Sequence, residues 1–153
     1  MRAAARAIIL RENEMLVMDR NKFGHHYLSL IGGHVDSNEK PEEAALREVR
    51  EETTLEVANP RLVIVEEAGE VYGRQYIYLC DYQGGEPKLS QGSIEDQINA
   101  GGQNLYQPIW IKSADLAGSN LLPTQLKDLL VTFLKDGFPE KPVELLITNG
   151  SQL

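Results

Sequence analysis

Apolar positions alternate with polar ones in short runs through most of the chain, and helical spacing is sustained in two places. Ala3 to Leu10 and Met15 to Asp19 are largely apolar runs separated by Arg11, Glu12, Asn13 and Glu14, which predicts a β-hairpin. Arg20, Asn21, Lys22, Phe23, Gly24, His25 and His26 read as a loop, and Tyr27 to Ile31 as a third strand that leads into a glycine turn at Gly32 and Gly33. From Glu42 to about Thr53, at 100° per residue, Ala45, Leu46, Val49 and Thr53 gather on one side, as a core-facing helix requires. Pro41 suits its first turn, Glu42 and Glu43 sit well against the positive end of its dipole, and Ser37, Asn38 or Glu39 would cap it.

Further on, Asn59 and Pro60 mark a break, and Arg61 to Glu67 and Val71 to Tyr82 read as two longer strands, with Gly69 and Gly73 allowing turns or bulges. Tyr72, Tyr76, Tyr78, Cys80 and Tyr82 share one parity while Ile77 and Leu79 lie on the other, the pattern of a central strand buried on both faces. The tyrosines are expected to be core rather than a platform for a nucleobase. Gly84 to Asn104 is a long polar loop, Tyr106 to Lys112 a strand, and Ser113 to Leu116 a turn of helix. Leu126, Leu129, Leu130, Phe133 and Leu134 make Pro123 to Asp136 an amphipathic helix that Gly137 ends. Val143 to Thr148 is either a last strand or a partner contact, and a homodimer is one such arrangement. The order of elements predicts an α/β (α+β) fold, a mixed sheet with helices on both faces.

A chain of 153 residues with 42% hydrophobic content suits one domain spanning 1-153. The net charge of -8 argues against a nucleic-acid polymer as partner, because binding a phosphate backbone needs a basic surface. Small phosphorylated substrates remain, since a bound cation supplies positive charge locally. Cys80 is the sole cysteine, which excludes an intramolecular disulfide, and is expected simply to pack. With no signal-peptide pattern and no apolar run of membrane length, a cytoplasmic protein is expected.

One face of the first helix departs from ordinary patterning. Glu48, Glu51 and Glu52 stand at i, i+3 and i+4 with no lysine among them, at a cost of roughly 0.2 to 0.5 kcal/mol per like-charge pair. Such a face is either a solvated acidic surface or a site for a hard divalent cation, which takes oxygen ligands and often brings a phosphate with it. The preceding glycine turn favours the cation, because a flexible backbone can lend a carbonyl oxygen and let a phosphate approach. Arg20 and Lys22 are candidate contacts to substrate phosphates, whereas the adjacent His25 and His26 lack a third ligand and read as ordinary loop residues.

At these residues the chain resembles the Nudix hydrolases, whose signature is G-x5-E-x7-R-E-U-x-E-E-x-G-U, with U a bulky aliphatic residue. Gly33, Glu39, Arg47, Glu48, Val49, Glu51, Glu52 and Leu55 fall in register, eight of nine specified positions across 23 residues, and Thr54 replaces the second glycine. A β-branched residue held there in a left-handed conformation would be strained by roughly 1 to 2 kcal/mol, so the chain is expected to leave the helix by another route. The resemblance implies an α-β-α sandwich and a pyrophosphatase that cleaves nucleoside diphosphates linked to another group by attack of water on phosphorus. It implies that Glu48, Glu51, Glu52 and the Gly33 carbonyl bind magnesium or manganese, that Glu48 also orients or deprotonates the water, and that Arg47 holds the carboxylates. Glu39 would support the loop or the metal network and, with Arg20 and Tyr72, belongs to the substrate-facing set. Tyr72 lies seventeen residues beyond Leu55, where relatives acting on diadenosine polyphosphates tend to carry a tyrosine. A further glutamate from the long loop, for which Glu95 beside Asp96 is the candidate, would be an extra ligand or base. Pro108 and Trp110 are similar to the family's late P-x-W strand. A nucleotide-binding sensor that does not catalyse and an isomerase-type protein are the competing readings.

Overall fold

The computed structural model describes residues 2–89 and 104–147, without the side chains of Val71, Tyr72 and Asn104. The elements run β1 (Ala3–Arg11), β2 (Glu14–Lys22), β3 (His25–Ser29), β4 (Ile31–His34), α1 (Pro41–Thr53), β5 (Val57–Glu67), α2 (Gly69–Tyr72), β6 (Arg74–Tyr82), β7 (Asn104–Lys112), a 3-10 turn (Ser113–Asp115), α3 (Thr124–Asp136) and β8 (Val143–Leu146). The predicted hairpin is present, with Arg11 opposite Glu14. Its second strand runs on to Lys22 and pairs with β3 from His25 onward, so the expected loop shrinks to a turn at Phe23 and Gly24. Polar pairs such as Asn21 with His26 and Lys22 with His25 are no obstacle to pairing at an exposed strand end, and His26 is held there by Asp19.

β1 is the hub. It pairs antiparallel with β4 and parallel with β6, while β6 pairs antiparallel with β5 and β5 parallel with β8, which settles Val143–Leu146 as a strand. β2 carries β3 and β7 as antiparallel neighbours. The fold is a mixed sheet system between two apolar layers, as expected of an α-β-α sandwich. On one face Ala5, Ala7 and Ile9 of β1 pack with Ala44, Ala45 and Val49 of α1 and with Tyr78 and Cys80 of β6. On the other, Ile8, Ile77 and Ile64 pack with Leu126, Leu130 and Phe133 of α3. Alternation along β1 and β6 thus serves two cores at once, and Tyr78 and Cys80 are core residues as the parity suggested.

Several boundaries differ from the sequence reading. Asn59 and Pro60 do not break β5 but sit in it beside a register shift between Ala58 and Arg61, where Asn59 takes φ 52°. A bulge absorbs the proline, whose missing N–H would interrupt a regular ladder. Val71 and Tyr72 do not start the strand but belong to a turn of helix, Gly69–Tyr72, with the expected turns at Gly69 and Gly73, and β6 begins at Arg74. None of Ser37, Asn38 and Glu39 caps α1. The cap position is Lys40, whose backbone N–H donates to the Glu43 carboxylate at 2.8 Å, and Pro41 opens the helix. Asp36 to Glu39 is instead a closed turn, with the Glu39 N–H on the Asp36 carbonyl at 3.1 Å and Asn38 at φ 69°.

Candidate metal and substrate site

The acidic face of α1 is largely turned inward. Glu52 is 4% exposed, and the Glu48 side chain is 12% exposed against 51% for Glu51, so two of the three carboxylates are not a solvated surface. Each has a partner that explains its burial. Glu52 Oε2 accepts the Gly32 N–H at 2.9 Å, tying the helix to the glycine turn. Glu48 Oε1 and Glu51 Oε2 both accept from Arg47 Nη1, at 3.0 and 3.1 Å.

Arg47 is the organiser. Its Nε and Nη2 take Glu39 as a fork at 2.8 and 3.1 Å, and Nη2 also donates to the His34 carbonyl at 2.9 Å. One planar cation therefore bridges the Glu39, Glu48 and Glu51 carboxylates, with Asp36 a further neighbour at 3.6 Å, and anchors the end of β4, which a lysine's single ammonium would not reproduce. The Arg47 guanidinium holds the Glu39 carboxyl below the usual carboxylate range, burial acting in the opposite sense. Glu39 also accepts the Asp36 N–H at 3.0 Å, so it supports the loop and is absent from the lining of the cleft.

The two glycines are required for different reasons. Gly32, at φ 153°, faces Arg6 across the sheet, and a Cβ there would lie 2.2 Å from the Ala5 carbonyl oxygen. At Gly33 the backbone is ordinary, but a Cβ would stand 2.8 Å from the Cδ and both oxygens of Glu48. The turn thus presses bare backbone against a carboxylate, a cradle a side chain would fill. Carboxylates and a close backbone are the donor chemistry of a hard cation. Among the described residues no three His, Cys, Asp or Glu side chains converge as a finished cage; the carboxylates are held by Arg47 and Gly32.

A cleft of about 350 Å³ opens at Gly33 and His34 and is lined by Arg2, Arg6, Arg20 and Lys22, with Tyr27, Ser29 and Gln75. In a protein of net charge -8, four cations around one cleft are a local reversal of sign. Arg20 lies 3.9 Å from the Tyr106 ring centroid and 5.4 Å from that of Tyr27, and donates to the Tyr106 hydroxyl at 2.8 Å. Its Nε is buried without a hydrogen-bond partner among the described residues.

Comparison with known proteins agrees with this geometry. The NUDIX domain model matches residues 1–98. The chain belongs to the NUDIX domain family. It is 27% identical over 108 residues to the NAD-capped RNA hydrolase NudC of Photobacterium profundum; the match covers 71% of this chain, which spans only 36% of the length of that relative. Among solved structures, an ADP-ribose pyrophosphatase from Streptococcus suis aligns with a TM-score of 0.65 at 20% identity over 95% of this chain and 98% of that one. A NUDIX hydrolase from Nitrosomonas europaea aligns with a TM-score of 0.74 at 15% identity over 95% and 78%. At those identities the structures establish the shared Nudix fold.

Of the residues singled out from sequence, Gly33, Glu39, Arg47, Glu48, Glu51 and Glu52 come together around the β4–α1 turn, and Arg20 and Lys22 line the adjoining cleft. Glu95 and Asp96 lie outside the described residues, as does the side chain of Tyr72, whose backbone is in α2. His25 and His26 are strand residues engaged with Tyr27 and Asp19. The sequence reading missed Arg2, Arg6, His34 and Gln75. Arg6 carried a signal, as a cation interrupting an otherwise apolar strand, but only the pairing of β1 with β4 reveals what it faces.

Proposed function

We propose that this single domain is a metal-dependent hydrolase of the diphosphate linkage in a small nucleoside diphosphate derivative, acting by attack of water on phosphorus. The observation that carries the reading is the Arg47 network, which gathers Glu39, Glu48 and Glu51 beside a glycine turn at the mouth of a cationic cleft. Glu48, Glu51, Glu52 and the Gly33 carbonyl would hold magnesium or manganese. When bound, the metal neutralises charge on the diphosphate and acidifies a water. Around it the chain's own groups divide the work. Arg47 keeps the carboxylates oriented, Glu48 or Glu95 accepts the proton of the attacking water, and Arg20 and Lys22 bind phosphate oxygens, with Tyr72 toward the rest of the substrate. Arg20, held against the Tyr106 ring at the wall of the cleft, suits that task.

The names of the relatives span NAD-capped RNA and ADP-ribose, which share a diphosphate core. The chain's acidic balance favours small substrates over the polymer. Cys80, 3% exposed and with its thiol pushed up to about 12 by burial, supplies no ready group for an isomerase. The test is product release from ADP-ribose, nucleotide sugars, dinucleoside polyphosphates and modified nucleoside triphosphates, with magnesium, manganese and chelator. Metal-dependent cleavage of one class is expected, and Glu52→Gln should lower turnover at least about a hundredfold, the upper end for loss of an outer-shell group. Nucleotide binding with no cleavage of any class would establish the sensor reading instead.

A further inference from the structure

Behind the cleft lies a smaller cavity of about 10 Å³, lined by Arg6, Ser29, Gln75 and Glu66 among apolar residues that include Leu122 and Leu126. Arg6, Ser29 and Gln75 line both spaces, so the cavity sits under the floor of the cleft. Its volume is at the lower limit for one water molecule. Glu66 is 2% exposed, and its Oε2 has no hydrogen-bond partner among the described residues. A buried carboxylate oxygen without a partner is costly and needs a reason. Burial pushes its pKa up to about 7, against the pull of the Arg6 guanidinium. Arg6 is the charged group facing it: β6 sets Gln75 opposite Glu66, β8 sets Leu145 opposite, β3 contributes Ser29, and α3 with the segment before it contributes Leu122, Pro123 and Leu126.

Arg6 in turn reaches the glycine turn. Its Nη1 donates to the carbonyls of Leu30 and Gly32 at 3.2 and 3.4 Å, and its Nε donates to Gln75 Oε1 at 3.2 Å. Those carbonyls bracket the backbone that delivers Gly33 to Glu48. We propose that Glu66 is a positioning residue: across the small cavity, and beyond ion-pair distance, its carboxylate biases the Arg6 guanidinium by its field, and Arg6 in turn holds the Leu30 and Gly32 carbonyls and thereby sets the glycine turn and the wall of the cleft. Glu66 touches neither substrate nor metal. The buried carboxylate is thus a counter-charge kept behind the cation, away from bulk solvent. For its catalytic consequence the proposal rests on the hydrolase reading.

Two readouts test it, one of them independent of turnover. In the metal-free protein, the carboxyl carbon of Glu66 and the amide resonances of Gly32 and Gly33 are followed by NMR across neutral pH. The expected result is a shared midpoint, with the amide response abolished in Glu66→Gln and in Arg6→Lys, the latter keeping the charge but losing the fork. Glycine amides that ignore the Glu66 midpoint overturn the proposal whether or not any substrate is cleaved. In the active enzyme above pH 8, Glu66→Gln should lower kcat by about tenfold with a smaller change in KM, and Glu66→Asp should recover part of the loss. Wild-type kcat in Glu66→Gln would also overturn it. If Glu66→Gln fails to fold, Arg6→Lys decides the amide arm alone. A wild-type protein that cleaves nothing removes the hydrolase reading and leaves the NMR result to judge the positioning.

Discussion

Thr54 stands where the family signature has glycine, and it holds φ 63° and ψ -1° at the end of α1. The chain does not take another route, as the sequence reading expected; the β-branched residue adopts the left-handed cap itself. Its N–H closes on the Arg50 carbonyl at 3.0 Å, the Thr53 hydroxyl accepts the Leu55 N–H at 3.1 Å, and the Lys88 N–H returns to the Thr53 carbonyl at 2.9 Å. Those bonds over-determine the cap and hold a strained residue in place. Thr54→Gly relieves roughly 1 to 2 kcal/mol of strain while giving back part of it through a freer unfolded chain. A net gain of about 0.5 to 1 kcal/mol in denaturant unfolding is expected, with turnover unchanged. Gly33→Ala tests the opposite requirement. Its backbone is permitted, but the added carbon meets Glu48 at 2.8 Å, so Glu48 must move. The protein should fold and melt near wild type, while activity falls at least roughly tenfold, as a small misplacement of a reacting group implies.

The elements divide into those that package and those that present. Helix α3 buries Leu126, Leu130 and Phe133 and carries no site residue, whereas α1 buries Ala44, Ala45 and Val49 and offers its acidic side to β4. Strand β5 does both, since Ile64 is core and Glu66 is a buried charge. A carboxyl whose pKa rises from 4.5 unfolded to about 7 folded is protonated more readily in the native state, so stability falls as pH rises between those values and is level above them. Glu66→Gln lacks that decline. It should match wild type near pH 4 and exceed it at pH 8 by up to about 3 kcal/mol, measured by urea unfolding at both pH values. Glu39 has the opposite sign. Its folded pKa is depressed by Arg47, so its contribution is present above the ordinary carboxylate range and is lost as pH falls through the depressed value.

At the scale of the whole molecule, the site lies where α1, the β4 turn and the cleft between β2 and β1 meet. Since Arg47 and Gly32 satisfy the carboxylates without metal, the metal-free protein should fold, and millimolar magnesium should raise its melting temperature as a ligand of the native state does. Glu52→Gln should lose most of that rise, which differential scanning calorimetry would show. No helix among the described residues is long and apolar enough to cross a membrane. The sequence alone determined the secondary elements that depend on local periodicity, the two-faced burial of β6, and the acidic cluster, because spacing on a helix or strand dictates which side chains share a face. It also carried the family, through residues held at fixed intervals across one turn and one helix. Only the tertiary structure decided that Glu52 spends its charge on Gly32 and that Arg47 reaches back to His34 and Glu39. It alone set Arg6 and Gln75, sixty-nine positions apart, behind one cleft. Strand pairing makes those contacts between residues distant in the chain, and the partner of a lone cation such as Arg6 depends on which strand lies beside it.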